Sequence, residues 1–250
     1  MKGVVLCGGT GSRLHPITRV TNKHLLPIYD EPMVFFPIRT LVEAGIEDIM
    51  IVTGGNNAGD FVPLLGNGAE FGLKHLNYTY QEGSGGIADA LGLCRHFVGE
   101  DRVVVILGDN IFGPKMGALL REESEARGEI TRACVFLKRV PDPKRFGVAE
   151  VKGGKVVGIV EKPKKPKSKY AVTGAYIYDA RVFRLIDDLK PSARGELEIT
   201  DVNNMYLSRG ELGFRILGDD ITWTDAGTFE SLHRAQNLVA EERRKERGGR

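Results

Sequence analysis

The stretch Lys2 to Arg13, KGVVLCGGTGSR, runs from an apolar segment into a glycine-rich loop and closes on an arginine. Glycines let a backbone approach a polyphosphate closely and turn several N–H groups toward it, and a guanidinium adds bidentate hydrogen bonds to phosphate oxygens. These residue types at this spacing make a candidate phosphate cradle, although the same glycines would serve a plain strand-to-loop turn. Two standard phosphate motifs are excluded. A Walker loop needs Lys and then Ser or Thr directly after its last glycine, and Gly11 is followed by Ser12 and Arg13. The dinucleotide fingerprint is met only in its first half, by Gly9 and Gly11, with Leu14 where the third glycine would stand.

Two carboxylates and a few cations follow. Asp109, in LGDN, stands just past an apolar run, where an Asp serves either as a magnesium ligand or as an Asx turn or cap. Asp225, in TWTDAGT, has the same two readings, its cap being for a helix that begins near Thr228. Lys23 in TNKHLLP and Lys162 in VEKPKKPK suit phosphate clamping during phosphoryl or nucleotidyl transfer, whereas Lys164, Lys165, Lys167 and Lys169 read as a solvated loop between prolines. Arg194 is either a phosphate ligand or the partner of Glu196 or Glu198. The five histidines are not spaced for a metal, no nucleophile elbow is present, and Cys7 reads as a small buried residue closing its strand. Any catalysis here rests on positioning and charge stabilisation and needs no covalent intermediate.

The elements that must hold these residues alternate in the first half of the chain. Val4 to Leu6, Asp48 to Thr53, Leu76 to Tyr80 and Val103 to Leu107 read as strands, and their apolar character suits a sheet covered on both faces. Pro32 to Ala44, Ile87 to His96 and Lys115 to Arg127 read as helices between them, which implies parallel strands with right-handed crossovers. Four polar or glycine-rich clusters, CGGTGSR, TGGNN, QEGSGG and GDN, fall at the ends of those strands, where open α/β sheets bind ligands, and a shared rim would place them around one pocket. Beyond Thr131 the pattern predicts a hairpin at Gly153 and Gly154, a strand over Ala171 to Tyr178, helices over Ala180 to Leu189 and Ile199 to Arg209, strands near Phe214 and Ile221, and a last helix from Thr228 that frays after Arg247. Phe35, Phe36 and Trp223 are expected in the core.

At 250 residues, with no internal repeat and no dividing linker, the chain is expected to form a single α/β domain. Its 35 basic and 33 acidic residues leave a net charge of +2, so no nucleic-acid or membrane footprint is visible. Three scattered cysteines and the absence of a leader or long apolar run point to a cytoplasmic protein.

Taken together, LCGGTGSRLHPIT, NKHLLPIYDEPM, LGDN, FGVAEV, EKPKKPKSKYAVTGAYIYD, KPSARGELEITDVN and WTDAGT resemble, in order and from Lys2 to about Ala235, the sugar-nucleotide pyrophosphorylases, most closely the glucose-1-phosphate thymidylyltransferases. The resemblance implies a Rossmann-like nucleotidyltransferase core, a mainly parallel mixed sheet flanked by helices. It implies Mg²⁺-dependent reaction of dTTP with glucose 1-phosphate to give dTDP-glucose and pyrophosphate, with UTP or CTP as alternative donors, in a homo-oligomer. By motif position, Leu6, Gly8, Gly9, Thr10, Gly11, Ser12 and Arg13 would hold the nucleotide, Arg13 and Lys23 the departing pyrophosphate, Gln81 and Gly86 the pyrimidine edge, and Asp109 with Asp225 the magnesium. Gly147, Glu161, Val172 and Gly174 would line the sugar pocket, with Lys162 and Arg194 on its phosphate. Cys7 stands for the usual alanine, His24 for a frequent glutamine and Phe146 for a tyrosine. The chain also lacks the C-terminal helical extension of longer members, so weak or absent feedback through their regulatory site is expected. A non-catalytic nucleotide-sugar sensor would not need both carboxylates, and a glycosyltransferase would carry a D-x-D motif that is absent after the strands here.

Overall fold

A computed structural model describes residues 1–125 and 131–248. In chain order the strands are β1 (Lys2–Cys7), β2 (Pro27–Ile28), β3 (Glu31–Pro32), β4 (Asp48–Gly54), β5 (His75–Gln81), β6 (Val103–Leu107), β7 (Asn110–Phe112), β8 (Ala133–Arg139), β9 (Gly147–Lys152), β10 (Lys155–Glu161), β11 (Tyr170–Tyr178), β12 (Leu212–Ile216) and β13 (Trp223–Asp225). The helices are α1 (Phe35–Glu43), α2 (Phe61–Leu65), α3 (Ile87–Gly92), α4 (Arg95–Val98), α5 (Met116–Glu125), α6 (Val182–Asp187), α7 (Ile199–Ser208) and α8 (Phe229–Gly248).

The four expected strands β1, β4, β5 and β6 lie parallel in the order β5-β4-β1-β6, and β11 runs antiparallel beside β6; β5, at the sheet edge and carrying Asn77 and Thr79, is only partly buried, unlike the other three. Alternation of side chains explains why both faces had to be apolar. Val4, Leu6, Val103 and Val105 pack on one face with Leu91, Val182, Ile199, Val202 and Tyr206, whereas Val5, Cys7, Ile49, Ile51, Val104 and Ile106 pack on the other with Ile38, Leu41, Phe61 and Leu120. A third cluster joins Leu14, Leu26, Ile28 and Met33 to Leu232, Ala235 and Val239, so α8 is stitched to the segment that follows the glycine loop. Leu14, the residue that spoils the dinucleotide fingerprint, is fully buried there. Burial of such a side chain contributes about 1.5 to 3 kcal/mol.

The chain leaves β1 toward β4 and β5, then crosses back to β6 on the other side of β1, so connections diverge between β1 and β6. Such a divergence opens a crevice at the carboxyl ends of the strands. A second opening lies along β11, which pairs with β6 through Ala175–Tyr178 but with β9 through Tyr170 and Ala171. Between the two, Gly174 pairs with neither, and its N–H donates instead to Asn110 Oδ1 at 2.9 Å. The β9–β10 hairpin turns on Gly153 and Gly154, both with positive φ, as a two-residue turn of this kind requires.

Several boundaries differ from the sequence reading. Helix α1 starts at Phe35 because Glu31 and Pro32 pair with Ile28 and Pro27. The expected helix Ile87 to His96 is two, α3 and α4. The end of the expected helix Lys115 to Arg127 lies outside the described residues, as does the final part of the tail expected to fray after Arg247. Strand β8 was not anticipated, although ACVFL is a continuous apolar run like the others; it pairs with both β11 and β12. The strand expected at Ile221 begins at Trp223, and Thr228 with Ser231, not Asp225, caps α8.

Candidate active site

Both openings merge into one cleft of about 280 Å³, open to solvent, close to the lower end of the range for small-molecule sites. Leu6, Gly8, Gly9, Arg13, Lys23, Gln81, Gly86, Asp109, Gly147, Glu161, Lys162, Val172, Gly174 and Asp225 all line it. Thr10, Gly11, Ser12 and Arg194 do not.

At the β1 end, Gly9 and Gly11 have φ of 92° and 62°, conformations that favour glycine. The loop is braced from outside: Thr18 Oγ1 donates to the Gly11 carbonyl at 2.8 Å, and a Cβ at Gly55 would lie 2.9 Å from the Gly9 carbonyl. The TGGNN cluster therefore stands behind the cradle, and Asn22 Nδ2 ties it down through the carbonyls of Gly54 and Asn56 at 3.0 and 3.2 Å. Three of the four strand-end clusters reach the cleft; this one supports the first. Gln81 ends β5 buried, with its amide nitrogen 3.0 Å from the Gly86 carbonyl and 2.7 Å from Asp89 Oδ2.

The two carboxylates meet because β7 and β13 form a short antiparallel ribbon that sets Asp225 opposite Asn110, and the Ala226 N–H donates to the Asp109 carbonyl at 2.8 Å. Asp109 Oδ2 lies 2.6 Å from Lys23 Nζ, and Asp225 Oδ2 lies 2.8 Å from Arg145 Nη2. Burial pushes the Asp109 carboxyl up, but the Lys23 ammonium beside it, with hydrogen bonds from Lys23 and Asn110, outweighs this and holds it well below the usual carboxylate range. Asp225 is shifted the other way, raised first by burial and then by the charge of Asp109, against the opposing pull of Arg145 and Arg13. Such a split follows when two acidic groups share one partly buried place. Among the described residues no group of three or more His, Cys, Asp or Glu side chains is placed to hold a metal. Two carboxylates facing one cleft nevertheless fit Mg²⁺, which takes one or two protein carboxylates and completes its shell with water and phosphate oxygens.

At the other end, residues of β9, β10 and β11 converge. Lys162 directly follows Glu161 and has a φ of 41°, which breaks strand alternation, so that both neighbours line the cleft, with Lys162 Nζ 3.5 Å from Glu161 Oε1. Glu161 Oε2 accepts from Thr200 Oγ1 at 2.6 Å. A Cβ at Gly174 would lie 2.6 Å from Asn110 Oδ1, so only glycine permits that approach. Arg194 is clasped by Glu198 at 2.7 Å and lies 3.1 Å from Glu196 and 3.7 Å from Glu161. Its carboxylate pairing is thus the one present in the structure.

Arg145, Asn110 and Trp223 were not singled out for the site. Trp223, expected in the core, is half-buried in the cleft wall because its indole Nε1 donates to Asn110 Oδ1 at 2.7 Å and its ring packs 5.1 Å from Phe146. The available signal was a cation next to FGVAEV and an aromatic two residues before Asp225. His24 is buried against Asn22, whose Oδ1 accepts from the His24 ring at 2.9 Å and from its backbone N–H at 3.0 Å. Cys7 is buried as expected, its thiol pushed well up by burial, which removes it as a nucleophile.

The nucleotidyl transferase family profile matches residues 2–242. A glucose-1-phosphate thymidylyltransferase of Neisseria meningitidis is 46% identical over 241 residues, 96% of this chain and 82% of that protein, and one of Mycolicibacterium smegmatis is 45% identical over the same spans. A solved structure from Bacillus anthracis, described as a glucose-1-phosphate thymidylyltransferase in complex with a sucrose, superposes with a TM-score of 0.88 at 54% identity, covering 95% of this chain and 94% of that one. A UDP-glucose pyrophosphorylase complexed with UDP-glucose shares the fold, with a TM-score of 0.83 at 23% identity over 96% of this chain and 98% of that one.

Proposed function

The chain belongs to the nucleotidyl transferase family, and from that premise we propose that it transfers a thymidylyl group from dTTP to glucose 1-phosphate, giving dTDP-glucose and pyrophosphate. The observation that carries this reading is the single cleft lined at one end by Gly8 and Gly9, at the other by Glu161 and Lys162, with Asp109 and Asp225 between them. On this reading residues 1–250 work as one unit, the N-terminal half for nucleotide and the C-terminal half for sugar phosphate.

A sugar phosphate is already an anionic nucleophile, so no general base is needed; what opposes reaction is repulsion between two phosphate groups. At about 4 Å two unit charges repel by roughly 4 kcal/mol at an effective dielectric near 20. When bound, Mg²⁺ supplies neutralisation of that charge, and Asp109 and Asp225 are the residues that would hold it. Arg13, on the cleft wall beside Gly227, and Lys23 would take the charge that builds on pyrophosphate. Lys162 and Arg194 would grip the sugar phosphate, Arg194 by exchanging carboxylate partners for phosphate oxygens. Gln81 and Gly86 would meet the pyrimidine, leaving thymine and uracil separated by one methyl contact worth about 1 to 3 kcal/mol. No helix among the described residues is long and apolar enough to cross a membrane.

The test is a panel of dTTP, UTP, dCTP and purine triphosphates crossed with sugar 1-phosphates in Mg²⁺, read by pyrophosphate release. Fastest release with dTTP and glucose 1-phosphate is expected; no release with any pyrimidine triphosphate would refute the proposal.

A further inference from the structure

Gln81 is 4% exposed, and both atoms facing its amide nitrogen are acceptors: Asp89 Oδ2 at 2.7 Å and the Gly86 carbonyl at 3.0 Å. Neither can donate, so the nitrogen, not the oxygen, must occupy that position. The oxygen is thereby turned the other way, over Gly8, where a Cβ would overlap it, and no donor among the described residues bonds to it. Its free direction is the cleft that Gln81 lines. Asp89, half-buried as the third residue of α3, lies against the Gly85 backbone, where an added Cβ would come within 2.5 Å of its Oδ2. A carboxylate acceptor makes the bond to the Gln81 amide charge-assisted and about twice as strong as a neutral one.

We propose that Asp89 is a specificity-determining positioning residue, which fixes the Gln81 amide so that the cleft meets a lone hydrogen-bond acceptor and thereby admits nucleobases with an imide N–H. The proposal rests on the reading that the nucleobase meets Gln81. Thymine and uracil carry N3–H, which donates to Gln81 Oε1. Cytosine carries a lone pair at N3, which would oppose that oxygen and leave both acceptors unpaired in a desolvated place, a costly arrangement. Turning the amide over to suit cytosine would set its oxygen against Asp89 and the Gly86 carbonyl together.

The substitution Asp89→Asn keeps the shape but offers a donor to the turned amide, whereas Asp89→Ala only removes an acceptor and leaves the Gly86 carbonyl to hold the nitrogen. The two variants and the wild type are compared by kcat/KM for dTTP and dCTP, and by calorimetric binding of each triphosphate without sugar phosphate. The wild type should favour dTTP by about a hundredfold or more, Asp89→Asn should shrink that ratio at least tenfold, and Asp89→Ala should shrink it less. A purely structural role predicts the reverse order, with the alanine variant worse and both triphosphates affected alike; that order, or an unchanged ratio in Asp89→Asn, overturns the proposal. The binding arm needs no turnover, so a wrong sugar phosphate would sink the proposed reaction while leaving Asp89 testable, and absence of dTTP binding would sink both.

Discussion

The two ends of the cleft present their polar groups by different means. At the β1 end backbone atoms of Gly8 and Gly9 face the cleft, in a loop held from behind by Gly55, Thr18 and Asn22, beside Arg13 and a Lys23 that is paired with Asp109. At the β9–β11 end the cations already have carboxylate partners: Arg194 with Glu198, Lys162 with Glu161, and Arg145 with Asp225. A phosphate arriving there must exchange with a resident carboxylate. The first end is thus built for steric accuracy and the second for electrostatic competition, and a given local change should cost them unequally.

Alanine at one glycine of each end makes the sharpest contrast. At Gly8 a methyl group would overlap Gln81 Oε1, which Asp89 prevents from moving aside. At Gly147 it would lie 3.2 Å from Thr200 Oγ1 and 3.3 Å from Glu161 Oε2, contacts that a few tenths of an ångström relieve. Gly8→Ala should therefore lower kcat/KM for the triphosphate on the order of a hundredfold, and Gly147→Ala should raise KM for the sugar phosphate by roughly tenfold or less. Steady-state kinetics with each substrate varied in turn checks this, and equal losses at both glycines would erase the distinction between the ends.

The smallest effect expected is one of stability, at the nucleotide end. Burial, followed by the charge of Lys23, pushes His24 down from its ordinary 6.5 to about 3. The unfolded chain then takes up a proton that the folded protein refuses, so stability falls as pH drops from about 6.5 toward about 3, by up to about 1.36 kcal/mol per pH unit. Asp109, whose carboxyl is depressed, gives stability that is lost only below the ordinary carboxylate value and adds no slope between pH 5 and 6.5. Urea unfolding between pH 5 and 7 should show that slope in the wild type and a flatter one in His24→Gln; parallel slopes would contradict it.

Much of the first end was legible because its information is local. The apolar runs of β1, β4 and β6 announce a covered parallel sheet, and the polar segments after the parallel strands announce a rim. The second end depends on pairing that no window of sequence contains. Strands of three residues such as β7 and β13 are too short to show a period, yet their register is what sets Asp225 opposite Asn110. The same ribbon sets Trp223 in the cleft wall while it still packs against the core, and the partner switch of β11 creates the space around Gly174. Arg194 shows the limit from the other direction, since its motif fits a phosphate ligand while its neighbours Glu196 and Glu198 fit the pairing the fold displays.

On the proposed function, Asp109 and Asp225, carried by distant segments, would together hold one divalent ion between the two ends of the cleft. Titrating Mn²⁺ into the protein with dTDP-glucose, followed by electron paramagnetic resonance, tests it most directly when the wild type is set against Asp109→Asn and Asp225→Asn. One tightly bound ion in the wild type, weakened at least tenfold by either substitution in variants that melt as the wild type does, is the result expected; undiminished Mn²⁺ binding in either variant would contradict the shared site.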